Sequence, residues 1–540
     1  MRQTGKWLLA VGFTSVAATV WMTSRAPAAQ PDAEQERLKT FAQILELVET
    51  RYVEEVPSEK LMEGAIRGML RTLDPHSNYL DTRSYKEMRE EQRGSFSGLG
   101  IVISLRGDEN ALTVISPIEG TPAFRAGIRA GDVIAEIEGQ DTIGMSIDDA
   151  LAKLRGPKGT QVSFKIRREG EAELSAYTLK RDDIPTNSIQ YAYLIRPDTG
   201  YIRIKNFTQT TDRELGERID ELKAQGMTKL VLDLRWNPGG LLDQAVKVSS
   251  RFLKQGDEIV LTKGRTERAN DEFRVTTQGS TLDLPMVVLV NRGSASASEI
   301  VSGAIQDHDR GLVVGETSWG KGLVQTVYTL SQDAALALTT ARYYTPSGRL
   351  IQRDYRSLED YFSPADDEET VSTEPGAEGA EVPVGDTYYT DGGRKVFGGG
   401  GIHPDVRVEL EELTKTTELL ERKSAFFEFA TRYRAAHPEA PDEATFEVSP
   451  ELLAQFRAYL AERQIEVKDE DFAQNEAYVR RGIKAEIYSN YFGLVPRNRV
   501  LAEGDRQLQE ALRLFPEAER LTALRAAAES RKQPAAGVPN

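Results

Sequence analysis

There is no cysteine among the 540 residues. That excludes disulfides, a thiol nucleophile, thiolate-bound metals and a lipid-bearing amino-terminal cysteine. Histidine is nearly as scarce, with four in the whole chain, His76, His308, His403 and His437. Positive charge is outweighed: 68 Lys and Arg stand against 84 Asp and Glu, giving a net charge of −16 and a pI near 5.1. That balance argues against nucleic acid as a partner. Beyond the amino terminus no apolar run is long enough to suggest a membrane span. What remains is a chain with 39% hydrophobic residues, enough for globular cores and long enough for several domains.

The amino terminus sets the expected compartment. Arg2 and Lys6 precede a mainly apolar stretch over 7–22, and Ala26-Pro27-Ala28 supplies an A-x-A site. This is the pattern of an export signal, residues 1–28, cleaved after Ala28. At about 16 residues the stretch is short for the ~20 that cross a bilayer, so the rival is an uncleaved membrane anchor. Both place the body of the chain outside the cytoplasm, in a periplasm or its equivalent.

The chain is organised around residues 291–325, NRGSASASEIVSGAIQDHDRGLVVGETSWGKGLVQ. The apolar run 284–290 before it reads as a buried strand that ends in a tight turn of small residues, and an amphipathic helix follows. A serine in that turn lies at a helix N-terminus, where free N–H groups favour developing negative charge. It needs a base. His308 is twelve positions along the same helix from Ser296, roughly 18 Å away at ~1.5 Å per residue, and the other histidines fall in remote loops. Lysine is the alternative base in serine chemistry. Lys321, between Gly320 and Gly322 and after Trp319, is the candidate, with Trp319 expected to desolvate its amine. Gln325 follows four residues later on a predicted strand and so shares the lysine's face. To act as a base the amine must be neutral, which asks for a drop from ~10.4 to about 7–8.

These residues resemble the carboxyl-terminal processing proteases, also called tail-specific proteases. The resemblance rests on Ser294-Ala295-Ser296-Ala297-Ser298-Glu299 and on Gly320-Lys321-Gly322-x-Val324-Gln325. It implies that the middle serine, Ser296, is the nucleophile, Lys321 the base and Gln325 its positioning residue. Asp74-Pro75-His76-Ser77-Asn78-Tyr79-Leu80, Tyr344-Thr345-Pro346-Ser347-Gly348-Arg349 and Gly400-Gly401-Ile402-His403-Pro404-Asp405 also match segments of that family. In Leu230-Val231-Leu232-Asp233-Leu234-Arg235-Trp236-Asn237-Pro238-Gly239-Gly240, a buried strand runs into a Gly-Gly turn whose N–H groups can face a ligand. The resemblance makes Gly239 or Gly240 one oxyanion donor and Ala297 N–H the other. Trp236 is assigned to the core in preference to a substrate wall.

Residues 95–183 read as a small β-rich module that resembles a PDZ domain. Gly98, Leu99 and Gly100 would present N–H groups to a chain-terminal carboxylate, and a strand beginning at Ile101 would pair with the incoming peptide. Ile147, Leu151 and Leu154 are expected to line the groove, favouring an apolar last residue on the ligand.

The expected architecture is multidomain α/β: a signal peptide over 1–28, a helical region over 29–94, the PDZ domain over 95–183, a mixed α/β protease core over 184–409 and a helical extension over 410–540. Within the core, 359–386 is rich in Asp, Glu, Gly and Pro and is expected to be a mobile, solvated insertion. The extension's role is open among a docking surface, a shelf for substrate and a dimer contact. The tail over 534–540 is expected to be disordered. The functional expectation is an exported serine endopeptidase that reads protein C-termini and cleaves with a Ser-Lys dyad, without metal or cofactor, either monomeric or a homo-oligomer. The rivals are a non-catalytic tail-binding scaffold and an esterase using the same dyad.

Overall fold

The computed structural model describes residues 32–107, 110–276, 282–356, 361 and 386–532. The expected export signal, nearly all of the acidic insertion and the tail beyond 532 lie outside them. Among the described residues no helix is long and apolar enough to cross a membrane. Residues up to Met69 form a unit of their own. It holds helix Asp32–Arg51 and all but the last residue of helix Ser58–Leu70, where apolar periodicity predicts helix.

The second unit is built on two sheets, a β-rich module and a helical cluster. Its main sheet has six strands in the order Ile189–Arg196, Thr199–Ile204, Lys229–Asp233, Met286–Val290, Leu312–Gly315 and Val406–Arg407. The first two are antiparallel and the others parallel. Parallel strands with unbroken apolar runs need cover on both faces, and side-chain alternation divides them accordingly. Leu230, Leu232, Met286, Val288 and Val290 pack toward helices Thr211–Ala224, Leu242–Ser250 and Ala297–Asp307. Val231, Val287, Leu289, Leu312 and Val314 face the other way.

The end of the chain covers that second face. Ala502, Leu508, Leu512, Phe515 and Leu521 pack on it from helices Leu494–Ala502, Arg506–Arg513 and Phe515–Lys532. These helices are therefore a layer of the α/β sandwich. The helices between Lys415 and Phe492 form a separate cluster with its own core around Phe426, Phe429 and Phe456. The sequence predicts long helices over 411–434, 471–492 and 504–525, and all three are broken, the middle one at Asn475 between Asp469–Gln474 and Glu476–Phe492. The one expected over 411–434 is interrupted at Ser424, which adopts a left-handed φ of +52°. The one over 504–525 stops before Phe515, because Pro516 lacks an N–H and fits only a first turn.

In the second sheet, Leu323–Thr329 pairs with Ala335–Tyr344, which also pairs with Asn78–Leu80 and Glu258–Gly264. Ala335–Tyr344 thus lies between the segment ahead of the β-rich module and the strand that carries Gln325. The module hangs from a two-strand neck, Ser95–Gly98 against Asp182–Pro185. Its own sheet runs in the order Ile101–Arg106, Ala111–Pro117, Val133–Ile137, Gln161–Arg167 and Ser175–Lys180, so Ile101–Arg106 is an edge strand. Leu154 lies in the module's core and not in a groove.

If the last helices are part of the fold, Leu512→Ala should behave as a core truncation. Urea unfolding is expected to show a loss of about 3 kcal/mol. A change within about 0.5 kcal/mol, the usual surface value, would mean that these helices are an appendage.

Candidate active site

Two turns meet at the carboxyl ends of adjacent parallel strands. The first follows Met286–Val290. Asn291 N–H donates to Ser294 Oγ at 2.9 Å, and Ser294 Oγ donates to Leu234 O at 2.8 Å, tying this turn to the neighbouring strand's end. Ser296 then takes φ +53° and ψ −112° before helix Ala297–Asp307 begins. A positive φ on a non-glycine residue costs about 1–3 kcal/mol and persists only where the surroundings enforce it. Every residue of the helix is buried, whereas Ser296 is only half-buried.

The second turn follows Lys229–Asp233. Asn237 is its hub. Its Nδ2 donates to Ile204 O at 2.9 Å, and its Oδ1 accepts Gly239 N–H at 2.9 Å. Its carbonyl accepts Ala295 N–H at 2.9 Å and Ser298 Oγ at 3.0 Å, which stitches the two turns together. A Cβ on Gly239 would lie 2.8 Å from Ser296 Cβ and 2.9 Å from Ala297 N. Gly240, at φ +142°, would push a Cβ to 2.1 Å from Phe207 O. Gly239 N–H is committed to Asn237. Among the described residues the N–H groups of Gly240 and Ala297 have no partner. Trp236 departs from expectation: it is 49% exposed, at φ +58°, and so is not a core residue. Asp233 and Arg235, just before it, are buried.

Lys321 comes from the loop before Leu323–Thr329. Its Nζ donates to Gln325 Oε1 at 3.0 Å, and Gln325 Nε2 donates to the His76 carbonyl at 2.6 Å. The amine is not hydrogen-bonded to Ser296 Oγ in this arrangement. Burial lowers the lysine's pKa, while the negative charges of Glu299 and Asp74 oppose the shift. His76 is pushed down to about 4, first by burial and then by Lys321, so it is neutral at physiological pH. Its Nε2 lies 2.5 Å from Tyr361 OH. Trp319 donates its indole N–H to the same hydroxyl at 3.3 Å, so the indole is turned to Tyr361. Tyr361 itself is fully buried, although it falls in the stretch expected to be solvated.

Glu299 joins the two motifs. Its Oε2 accepts Ser296 N–H at 2.7 Å and Lys321 N–H at 2.9 Å. Its Oε1 accepts Ser318 Oγ at 2.5 Å and Gly320 N–H at 2.7 Å. The backbone nitrogens of Ser296 and Lys321 therefore lie within two hydrogen-bond lengths of each other. Burial pushes this carboxyl's pKa up, and the four donors pull it back. Glu299 ends the Ser294–Glu299 motif, and the resemblance implies no role for it. The available signal was its position three residues after Ser296, the spacing of a capping box. His308, as expected, is elsewhere, with Nε2 on Glu258 O and Nδ1 on Asp391.

In the module, Gly100 has φ +80° and a Cβ there would strike Thr121, so only glycine fits. Its carbonyl accepts Ile118 N–H, and that of Leu99 accepts Ala123 N–H. The Leu99 side chain is buried in the core, which leaves only its main chain to meet a ligand. Gly98 belongs to the neck pairing with Asp182. Ile101 opens the edge strand, and Ile147 and Leu151 sit half-buried on helix Ile147–Leu154.

Family models match in the same order. The peptidase family S41 model covers residues 198–357 and a PDZ domain model 113–168. The model of the activating protease CtpB N-terminal domain covers 13–84, and that of a probable PDZ-protease C-terminal helical domain covers 416–470. The chain is 44% identical over 320 residues to a carboxy-terminal-processing protease of Bartonella bacilliformis, spanning 58% of this chain and 73% of that protein. It is 36% identical over 314 residues to the carboxy-terminal processing protease CtpA of Bacillus subtilis, spanning 57% and 65%. Among solved structures, a photosystem II D1 C-terminal processing protease aligns at 32% identity and a TM-score of 0.33, covering 57% of this chain and 83% of that one. The chain belongs to the carboxy-terminal processing proteases of peptidase family S41 and is a serine-type peptidase carrying a PDZ domain.

Proposed function

We propose that the chain is an exported endopeptidase in which Ser296 is the nucleophile, Lys321 the general base and Gln325 the residue that holds the base. The oxyanion donors are the N–H groups of Gly240 and Ala297, and the PDZ domain docks the substrate's carboxyl terminus. The observation that carries this reading is the single oxygen of Glu299 that binds the backbone N–H of both Ser296 and Lys321.

Neutral Lys321 takes the Ser296 proton as Oγ attacks the peptide carbonyl. The oxyanion that forms points into the gap between Gly240 N–H and Ala297 N–H, at the positive end of a helix. The protonated lysine then gives its proton to the leaving amine. Water, deprotonated by the same lysine, attacks the acyl-enzyme and frees Ser296. At rest the amine donates to Gln325; catalytic hydrogen bonds are often completed only when substrate is bound. Among the described residues the PDZ edge strand Ile101–Arg106 has a strand partner on one side only. A peptide added as the next strand would place its terminal carboxylate at Gly98–Gly100 and its last side chain against Ile147 and Leu151.

Ser296→Ala should abolish cleavage of peptides with an apolar last residue, read by mass spectrometry, while the peptide still binds. Amidating the terminus should weaken that binding. Turnover that survives the substitution would remove the serine assignment.

Activity should be lost as pH falls through the pKa of Lys321, which burial sets below the ordinary lysine value. Gln325→Glu places an anion against the amine, favours its charged form and raises that pKa. The acidic limb of the pH–rate profile should therefore move to higher pH. An unmoved limb would mean that another group titrates.

Export with cleavage after Ala28 should leave Ala29 as the first residue of the mature protein. Amino-terminal sequencing of the exported form, or an intact leader in the membrane fraction, decides between release and anchoring.

A further inference from the structure

The turn from Arg235 to Gly240 holds three residues at positive φ: Trp236, Gly239 and Gly240. Such a turn stays put only if its base is fixed, and the base is Arg235. Its backbone N–H donates to Asp233 Oδ1 at 2.9 Å, and its guanidinium donates to both Asp233 oxygens. The rest of the guanidinium is held from the far end of the chain. Nη1 and Nη2 donate to Asp505 Oδ1 and Oδ2 at 2.9 and 2.7 Å, and Nη1 also donates to Gln507 Oε1 at 3.0 Å. A planar fork gripped on two edges by carboxylates has no freedom to rotate.

Asp505 and Gln507 are themselves anchored. Asp505 Oδ1 caps helix Arg506–Arg513 by accepting Leu508 N–H at 3.0 Å, and Gln507 Nε2 donates to Val408 O at 2.7 Å. Beside this network lies a cavity of about 250 Å³ lined by Arg235, Trp236, Asp505, Arg506 and Gln507, among others. Water there can hydrate Arg235 if a partner is lost, so breaking the fork need not unfold the protein. It would free the turn to move.

We infer that Asp505 and Gln507 are positioning residues for catalysis: acting through Arg235, they fix the turn that presents the Gly240 N–H to the reacting carbonyl. This rests on Gly240 being an oxyanion donor. The carboxy-terminal helices then belong to the catalytic apparatus as well as to the sheet's cover.

The test uses the full chain and three readouts: steady-state kinetics on a peptide substrate, inhibition by a peptide boronate that forms a tetrahedral adduct with serine, and thermal unfolding. Asp505→Asn is expected to lower kcat about tenfold and to weaken the boronate by a similar factor, since both need the oxyanion donor in place. KM should stay within about twofold, because ground-state binding is not involved. Asp505→Glu, which keeps the charge, should recover part of the loss. Ser449→Ala removes the cap of helix Pro450–Glu462 and serves as the structural control: it should lower the unfolding midpoint without moving kcat or boronate affinity. If Asp505→Asn does not fold, Gln507→Met leaves the carboxylate fork intact and should give a smaller parallel drop, about threefold. An Asp505→Asn protein that resembles Ser449→Ala overturns the inference, as does a fall in kcat with boronate affinity intact. Turnover that survives Ser296→Ala is a different failure: it overturns the site assignment beneath the inference.

Discussion

A single buried carboxylate fixes the geometry on which the rest depends. Glu299 receives four hydrogen bonds, two on each oxygen, from the serine turn and the lysine loop. Three of the four donors are backbone N–H groups, which cannot accept in return, so the side chain must be acceptor-only. An amide in its place would turn an NH2 toward one pair of donors and leave them unsatisfied in a buried site. Its place in the first turn of helix Ala297–Asp307 lets the helix dipole favour the charge. Because one oxygen serves both Ser296 and Lys321, neither loop can shift without the other.

The same arrangement recurs in the neighbouring turn. Parallel strands Lys229–Asp233 and Met286–Val290 end side by side, where open α/β sheets present ligands to loops. Each strand end carries backbone strain, at Trp236 and Ser296. Each is held by buried polar side chains that bond mainly to backbone or to charge: Glu299 for one, and Asn237 with Arg235 for the other. Strain of this kind needs support from several directions. Here the support comes from sequence positions as far apart as His76 and Gln507.

That dispersion explains what could and could not be read from the chain. The turn after a buried strand, the serine cluster and the Gly-Lys-Gly loop were legible because their chemistry is written in neighbouring residues. The His76 contribution was not, because it is the backbone that holds Gln325 and a carbonyl oxygen carries no residue signature. The Arg235–Asp505 pair spans 270 positions and has no local pattern. Trp236, expected in the core, is half exposed at a positive φ. Leu154 is expected in the groove beside Ile147 and Leu151 but lies in the module's core, because spacing on a helix does not say which apolar residue faces inward. The last helices were legible in principle. Unbroken apolar strands need two covers, and the helices between the strands supply one.

The lysine is where these constraints meet. Burial drives its amine toward the neutral form, and the Glu299 carboxylate that organises the site pushes it back. A charged partner in hydrogen-bond contact would settle the contest for the cation. The contact is instead Gln325 Oε1, a neutral acceptor that orients the amine without trapping its proton. Gln325 can turn its oxygen to the lysine only because its NH2 is taken by the His76 carbonyl, and His76 is itself kept neutral by burial and by the lysine's charge. The segment before the PDZ domain, the strand after it and the helix that follows Ser296 thus act on one amine. A change in any of the three is felt at that amine.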